Sequence, residues 1–214
     1  MLFHLHSENV RITGGTARGH NLFSPKSGNR TIRPTSDRTR EALFNILASE
    51  ISNSMVLDLY AGTGTLGIEA LSRGAKLAVF VDQARQALEL IHANLCHCFS
   101  SPGALLFQLN LTRSDTFTRL KNKLPPELLF DLVFLDPPYE KTLAQKTLQM
   151  VEKAGIVQNR GLVIVEERKN EQLPKKCGSL ELIDQRQYGE TGLWFYRQGC
   201  LPAGANSCRL TQLT

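Results

Sequence analysis

The sequence predicts an α/β fold built on a mostly parallel sheet, and three observations predict it. From Met55 onward, short apolar runs rich in Val, Leu and Phe alternate with helix-patterned segments, which implies parallel strands joined by right-handed crossover helices. A glycine turn, Gly62-Thr-Gly64-Thr-Leu-Gly67, joins the first run to the first helix. The chain has 214 residues, enough for one such domain with a little to spare, whereas two would be cramped.

The elements follow in order. Residues 9–34 mix short alternating stretches with Gly14-Gly15, Gly19, Pro25, Gly28 and Pro34, and read as a hairpin and extended arm outside the large core. We set a basic hairpin or arm at 1–34, the main domain at 35–197 and a disordered tail at 198–214. Thr35-Ser36-Asp37 suits a helix start, with Ala42, Leu43, Phe44, Ile46 and Leu47 as its buried side. Strands are expected at Met55 to Leu59, Leu77 to Val81, Leu105 to Leu109, Phe130 to Leu135 and Gly161 to Val165. Helices are expected at Ile68 to Arg73, Ala84 to Leu95 and 141–153. Leu180 to Ile183 and Leu193 to Tyr196, flanking Tyr188 to Gly192, form an antiparallel pair.

Hydrophobic residues make up 42% and charged ones 21%, an ordinary globular balance. No apolar run approaches the roughly 18 residues of a membrane span, and the opening residues hold neither a basic leader nor a continuous apolar stretch, so a soluble cytoplasmic protein is expected. Five cysteines without even spacing favour reduced thiols. His92, Cys96, His97 and Cys98 match no common zinc spacing, and no metal is expected. The net charge of +5 is unevenly placed: residues 11–40 hold Arg11, Arg18, Lys26, Arg30, Arg33, Arg38 and Arg40 against the single acid Asp37. The rest is nearly neutral, so the amino-terminal part is a candidate phosphate-gripping face, with a solvated basic loop as the plainer alternative.

The chemistry sits where strands end. Gly62, Gly64 and Gly67 satisfy G-x-G-x-x-G and Asp82 follows about 20 residues on, so a nicotinamide cofactor is one reading. Asp58, at the end of the first strand, favours another: a carboxylate there suits a cationic sulfonium and amino group, and would repel a pyrophosphate. Asp82 can accept both ribose hydroxyl hydrogens, and the Asn110 amide oxygen can accept a hydrogen from the adenine amine. Glu166-Glu167 read as a solvated strand end, and Tyr188 and Trp194 as packing residues.

Asp136-Pro137-Pro138-Tyr139 is the sharpest signal. A nucleobase amine is a weak nucleophile because its lone pair is delocalised into the ring. If the Asp136 carboxylate and the Pro137 carbonyl each accept one of its hydrogens, the nitrogen can pyramidalise toward a methyl donor. The two prolines stiffen that geometry, each fixing its own φ and restricting the residue before it. Tyr139 offers a stacking face for a base that has been extruded. S-adenosylmethionine is the cofactor these residues suggest.

Four stretches then join: Arg11 to Gly19, Arg33-Pro-Thr-Ser-Asp-Arg38-Thr-Arg40-Glu-Ala-Leu-Phe-Asn-Ile-Leu47, Asp58 to Ala75, and Phe130 to Tyr139. From about residue 9 to 197 the chain closely resembles the bacterial 16S rRNA (guanine-N2)-methyltransferases of the RsmD type. The resemblance implies a class I, Rossmann-like methyltransferase fold with seven strands, the last antiparallel. It implies that Asp58, Tyr60, Gly62, Gly64, Gly67, Asp82, Gln83, Asn110 and Leu111 hold S-adenosylmethionine, that Asp136, Pro137, Pro138 and Tyr139 hold the guanine, and that Arg11, Arg18, Arg33, Arg38 and Arg40 hold RNA. The expected partner is 16S rRNA or a small-subunit assembly intermediate, met by a monomer. Asn110 departs from the acid usual at its position. A DNA adenine-N6 methyltransferase, a nicotinamide oxidoreductase and a catalytically silent RNA-binding assembly factor remain alternatives.

Overall fold

The computed structural model describes residues 10–24, 37–139 and 142–199. After α1 (Asp37–Ile46) and the single turn α2 (Ala48–Ile51) come β1 (Met55–Leu59), α3 (Thr65–Ser72), β2 (Leu77–Asp82), α4 (Arg85–Cys98) and β3 (Ala104–Gln108). The second half holds α5 (Thr116–Lys121), β4 (Phe130–Leu135), α6 (Leu143–Ala154), β5 (Val157–Arg168), β6 (Lys176–Cys177), β7 (Leu180–Tyr188) and β8 (Thr191–Gln198). Among the described residues no helix is long and apolar enough to cross a membrane.

The strands form one sheet in the order β3-β2-β1-β4-β5-β8-β7-β6. β3, β2, β1, β4 and β5 run parallel, and β8 enters antiparallel between β5 and β7. Among the described residues the class I methyltransferase pattern therefore holds with eight strands rather than seven. The additional one is the two-residue β6, which extends the edge by pairing Lys176 with Glu181 and Cys177 with Leu180. β1 neighbours both β2 and β4, so the chain reverses its direction of sheet growth there. Ligands of open α/β sheets settle in the crevice at such a switch point, beyond the carboxyl ends of the strands.

Alternation along each strand divides the core into two layers. Val56, Phe80, Phe134 and Ile164 join α1, α3 and α4 on one face, while Leu57, Val79, Leu135 and Val165 join α5 and α6 on the other. The acids at strand ends inherit this parity, which puts Asp58 and Asp82 on the face of α3 and α4. Helix α1 buries Leu43 and Phe44, and Leu47 just after it continues the stripe, but Ile46 is 40% exposed, because the three-to-four-residue spacing of that stripe skips it.

The amino-terminal hairpin departs from expectation. Arg11 and Asn21 form an antiparallel bridge, as the alternation suggests, yet Val10, Ile12, Ala17 and Leu22 are buried in the same cluster as the sheet. Polar groups of the neighbouring helices explain the docking. Thr13 donates from its backbone and hydroxyl to the two Glu69 oxygens at 2.8 and 2.7 Å, Ala17 N–H donates to Ser72 Oγ at 2.9 Å, and Ser72 returns a bond to Gly14 O at 2.6 Å. Asn94 on α4 bonds both backbone groups of Phe23 and also donates to Thr63 O.

Glu166 and Glu167 are the second correction. Both are 4% exposed rather than solvated, because β5 continues to Arg168 and β8 pairs alongside through Glu166 with Leu193 and Glu167 with Gly192. Of the tail expected at 198–214, Gln198 instead ends β8 and is 5% exposed, while residues 200–214 and the helix-capping pair Thr35-Ser36 lie outside the described residues.

Candidate active site

The glycine turn is built around two carboxylates. Asp58, next to last in β1, is 2% exposed and takes a hydrogen bond on Oδ2 from Gly67 N–H at 2.9 Å, bracing the first turn of α3. Burial pushes its carboxyl up to about 7, helped by the nearby Asp82 charge and opposed by the Gly67 bond. Asp82, just past the buried part of β2, accepts Gly62 N–H on one oxygen at 2.9 Å and Ala84 N–H on the other at 2.8 Å. Each carboxylate oxygen keeps a second lone pair, so acceptance from a ribose diol stays open.

Gly64 has φ 77°, a left-handed conformation that admits α3 directly after the turn. Gly67 answers a different need: a Cβ there would stand 2.3 Å from Phe80 Cε1, so its absence lets α3 sit on the sheet. Tyr60, with φ 60°, turns its ring toward α6, where its hydroxyl meets Thr147 Oγ1 at 2.7 Å. Gln83 is exposed, and its backbone carbonyl accepts a hydrogen bond from Gln108 Nε2 at 3.1 Å.

Two cofactor expectations need revision. The Asn110 oxygen already accepts Thr112 N–H at 2.9 Å and Thr112 Oγ1 at 2.7 Å, which uses both lone pairs. What Asn110 can turn outward is its amide NH2, a donor rather than the predicted acceptor. Leu111 is 3% exposed and packs in the α5 and α6 layer, so its side chain does not join the turn.

Asp136 follows β4 directly across the switch point from Asp58. Its carboxyl is held well above the usual carboxylate range, first by burial and then by the charges of Glu166, Asp58 and Glu167. Pro137 is buried and Pro138 exposed, as a stiff strand exit requires. Tyr139 is 41% exposed, its phenol bonded to the Thr191 side chain, and the Arg168 guanidinium lies over its ring at 5.2 Å from the centroid. Arg168 and Glu166 were not among the predicted site residues. The sequence does carry a sign of Glu166, since it too is an acid ending a β-rich run.

The basic residues separate into two groups. Arg11, with a side chain 67% exposed, Arg18 and Arg38 face solvent, and Arg33 lies outside the described residues. Arg40 is fully buried, which corrects its assignment to RNA. Its guanidinium donates to Arg11 O and to Asp37 Oδ1, the latter at 2.7 Å, and its Nε lies 3.6 Å from Glu69 Oε2. A side chain so enclosed holds α1, α3 and the hairpin together and cannot reach a phosphate.

This fold is that of the class I, Rossmann-like methyltransferases. A family described as "Conserved hypothetical protein 95" matches residues 10–197, and the chain belongs to it, the RsmD family. The chain is 32% identical over 195 residues to the Ribosomal RNA small subunit methyltransferase D of Escherichia coli K12, covering 91% of this chain and 93% of that protein. The Haemophilus influenzae protein of the same name is 36% identical over 166 residues, covering 77% of this chain and 81% of the relative. Among solved structures, a hypothetical protein of Thermus thermophilus superposes with a TM-score of 0.70 at 31% identity, over 87% of this chain and 98% of that one.

Proposed function

We propose that this protein transfers a methyl group from S-adenosylmethionine to the exocyclic N2 of a guanine in 16S rRNA. The observation that carries the reading is the placement of Asp58 and Asp136 across the β1/β4 switch point, one beside a glycine turn and the other opening a proline-stiffened strand exit. The curated relatives' names supply the ribosomal RNA. A buried carboxyl held to about 7 fits a cationic ligand, since an adjacent positive charge offsets its burial. The nicotinamide alternative would set that carboxyl against a pyrophosphate.

When bound, S-adenosylmethionine supplies an electrophilic methyl carbon on sulfonium sulfur. The protein's part is to hold the amine. Asp136 and the Pro137 carbonyl each accept one N2 hydrogen, drawing the nitrogen toward tetrahedral geometry with its lone pair aimed at the methyl carbon. The donor would supply the methyl carbon and leave as a neutral thioether, and the Asp136 carboxylate takes the proton that the methylated, positively charged amine gives up. Tyr139 stacks on the base, and positioning supplies most of the rate. Asn110, presenting its amide NH2, matches the lone pair of adenine N1 in the cofactor.

Asp136→Ala should lower kcat by about 100-fold or more, as expected for loss of a positioned acid–base group, while S-adenosylhomocysteine binds as before. Asp136→Asn, which keeps an acceptor, should retain more activity than the alanine variant. The check is single-turnover methylation of small-subunit rRNA, with duplex DNA as the competing substrate, alongside calorimetry for ligand affinity. Normal turnover by Asp136→Ala would remove Asp136 from the chemistry.

A further inference from the structure

We propose that Glu166 accepts the N1–H of the target guanine, and thereby makes the site choose guanine over purines with a lone pair at N1. The inference rests on the reading of Asp136 as the guanine-N2 site and extends it to base selection.

The register places the residue. β4 and β5 are parallel neighbours with Leu135 opposite Val165, and the next positions along are Asp136 and Glu166. Phe134 and Ile164 belong to one core layer, and Leu135 and Val165 to the other. Two residues beyond Ile164, Glu166 therefore points to the face shared by Asp58 and Asp82. It is 4% exposed, and its charge acts on both Asp136 and Tyr139, the two side chains assigned to the base.

The base supplies a complementary edge. Guanine carries an N1–H beside the N2 amine, so an edge that gives both N2 hydrogens to Asp136 and the Pro137 carbonyl still has one donor to satisfy. A donor left unmet in a desolvated site is costly. An ionised Glu166 offers only acceptor oxygens, which suits N1–H and opposes a lone pair. The incoming N–H groups also place partial positive charge between two carboxyls that otherwise repel. The other groups around this pair are Asp58 at the end of β1, Glu167 on β5, and Arg168, whose guanidinium stays with the Tyr139 ring.

The test uses small-subunit RNA in which the methylated position, mapped by mass spectrometry, is rebuilt by splinted ligation with guanosine, 2,6-diaminopurine riboside, 2-aminopurine riboside or 6-thioguanosine. The two aminopurines keep the N2 amine but carry a lone pair at N1, whereas 6-thioguanosine keeps N1–H and alters only position 6. Wild-type kcat/KM should fall by about 10- to 100-fold on both aminopurines, the discrimination expected of a well-placed contact to a base edge, and stay near the guanosine value on 6-thioguanosine. Glu166→Gln, whose amide can donate to N1, should lose activity on guanosine and gain it on the aminopurines while S-adenosylhomocysteine affinity is unchanged. Equal wild-type kcat/KM on guanosine and both aminopurines would overturn the assignment. So would a Glu166→Gln variant that loses activity by the same factor on every RNA, which is the mark of a structural role. If that variant does not fold, the wild-type series decides alone. A methyl group mapped to any atom other than guanine N2 would instead end the underlying reading, an outcome distinct from either.

Discussion

Asp58 shows how a single buried carboxyl ties ligand binding to pH. Its folded-state value of about 7 lies above the ordinary 3.8, so between those values the native protein holds a proton that the unfolded chain has released. The stability contribution of the neutral acid is thus fully present below about 3.8 and is lost as pH rises through 7. A cationic ligand reverses the preference by favouring the ionised form. S-adenosylmethionine binding near pH 6.5 should therefore release a proton, seen as a dependence of the calorimetric enthalpy on the ionisation enthalpy of the buffer. Asp58→Asn should abolish that dependence and weaken binding by about 10- to 100-fold, the range for losing a hydrogen bond to a charged group. Buffer-independent enthalpy in the wild type would mean Asp58 is already ionised or lies outside the cofactor site. Asp58, Asp82 and Asp136 are legible in the sequence because each closes a β-rich run, and strand ends are where α/β sheets bind ligands. Glu166 follows the same rule but is masked by Glu167 and Arg168, which make the segment look solvated. What buries it is β8, more than twenty residues further along the chain, a pairing that no local pattern reveals.

At the scale of elements, the strand–helix alternation is easy to read because hydrophobic periodicity is local, and the misreadings fall where one element leans on another. The hairpin looks detachable from its glycines and prolines, yet its stability comes from α3, which presents Glu69 and Ser72 to its backbone. Arg40 looks like one more surface cation in a basic stretch. Its burial follows from Glu69, a fully buried acid 29 positions away that also pairs with Arg73 Nε at 2.8 Å. Removing one member of such a network leaves buried charge uncompensated, so Arg40→Met should destabilise the protein by about 3–5 kcal/mol. The loss should be uneven: hydrogen exchange should accelerate first at the amides of Ile12, Gly19 and Leu22, which close the hairpin, and last in β1 and β4. Arg40→Lys should recover only part of the loss, because an ammonium can replace Nη2, which alone bonds Arg11 O and Asp37, but leaves out the Nε that faces Glu69 at 3.6 Å. Denaturation midpoints near the wild-type value for either variant would show that the network is dispensable.

For the whole molecule, the docked hairpin fixes where the arginines proposed to meet RNA stand. Arg11 and Arg18 ride on it and Arg38 on α1, all joined to the core layer whose sheet face carries Asp58 and Asp82. Phosphates gripped by these cations would keep a fixed relation to Asp136, and backbone contacts orient a nucleic acid without reading its bases. Affinity and base choice should then separate experimentally. Arg18→Glu combined with Arg38→Glu should raise the Kd for small-subunit rRNA and flatten the slope of log Kd against log salt by about 0.7 to 0.9 for each phosphate no longer neutralised. The same double variant should bind S-adenosylhomocysteine normally and, at saturating RNA, turn over at close to the wild-type kcat, since neither side chain belongs to the pair of carboxylates proposed to hold the base. An unchanged salt slope would show that these arginines do not meet phosphate. A kcat that falls with KM unchanged would instead mean that the hairpin shapes the active site, making the basic face part of the chemistry and no mere docking platform.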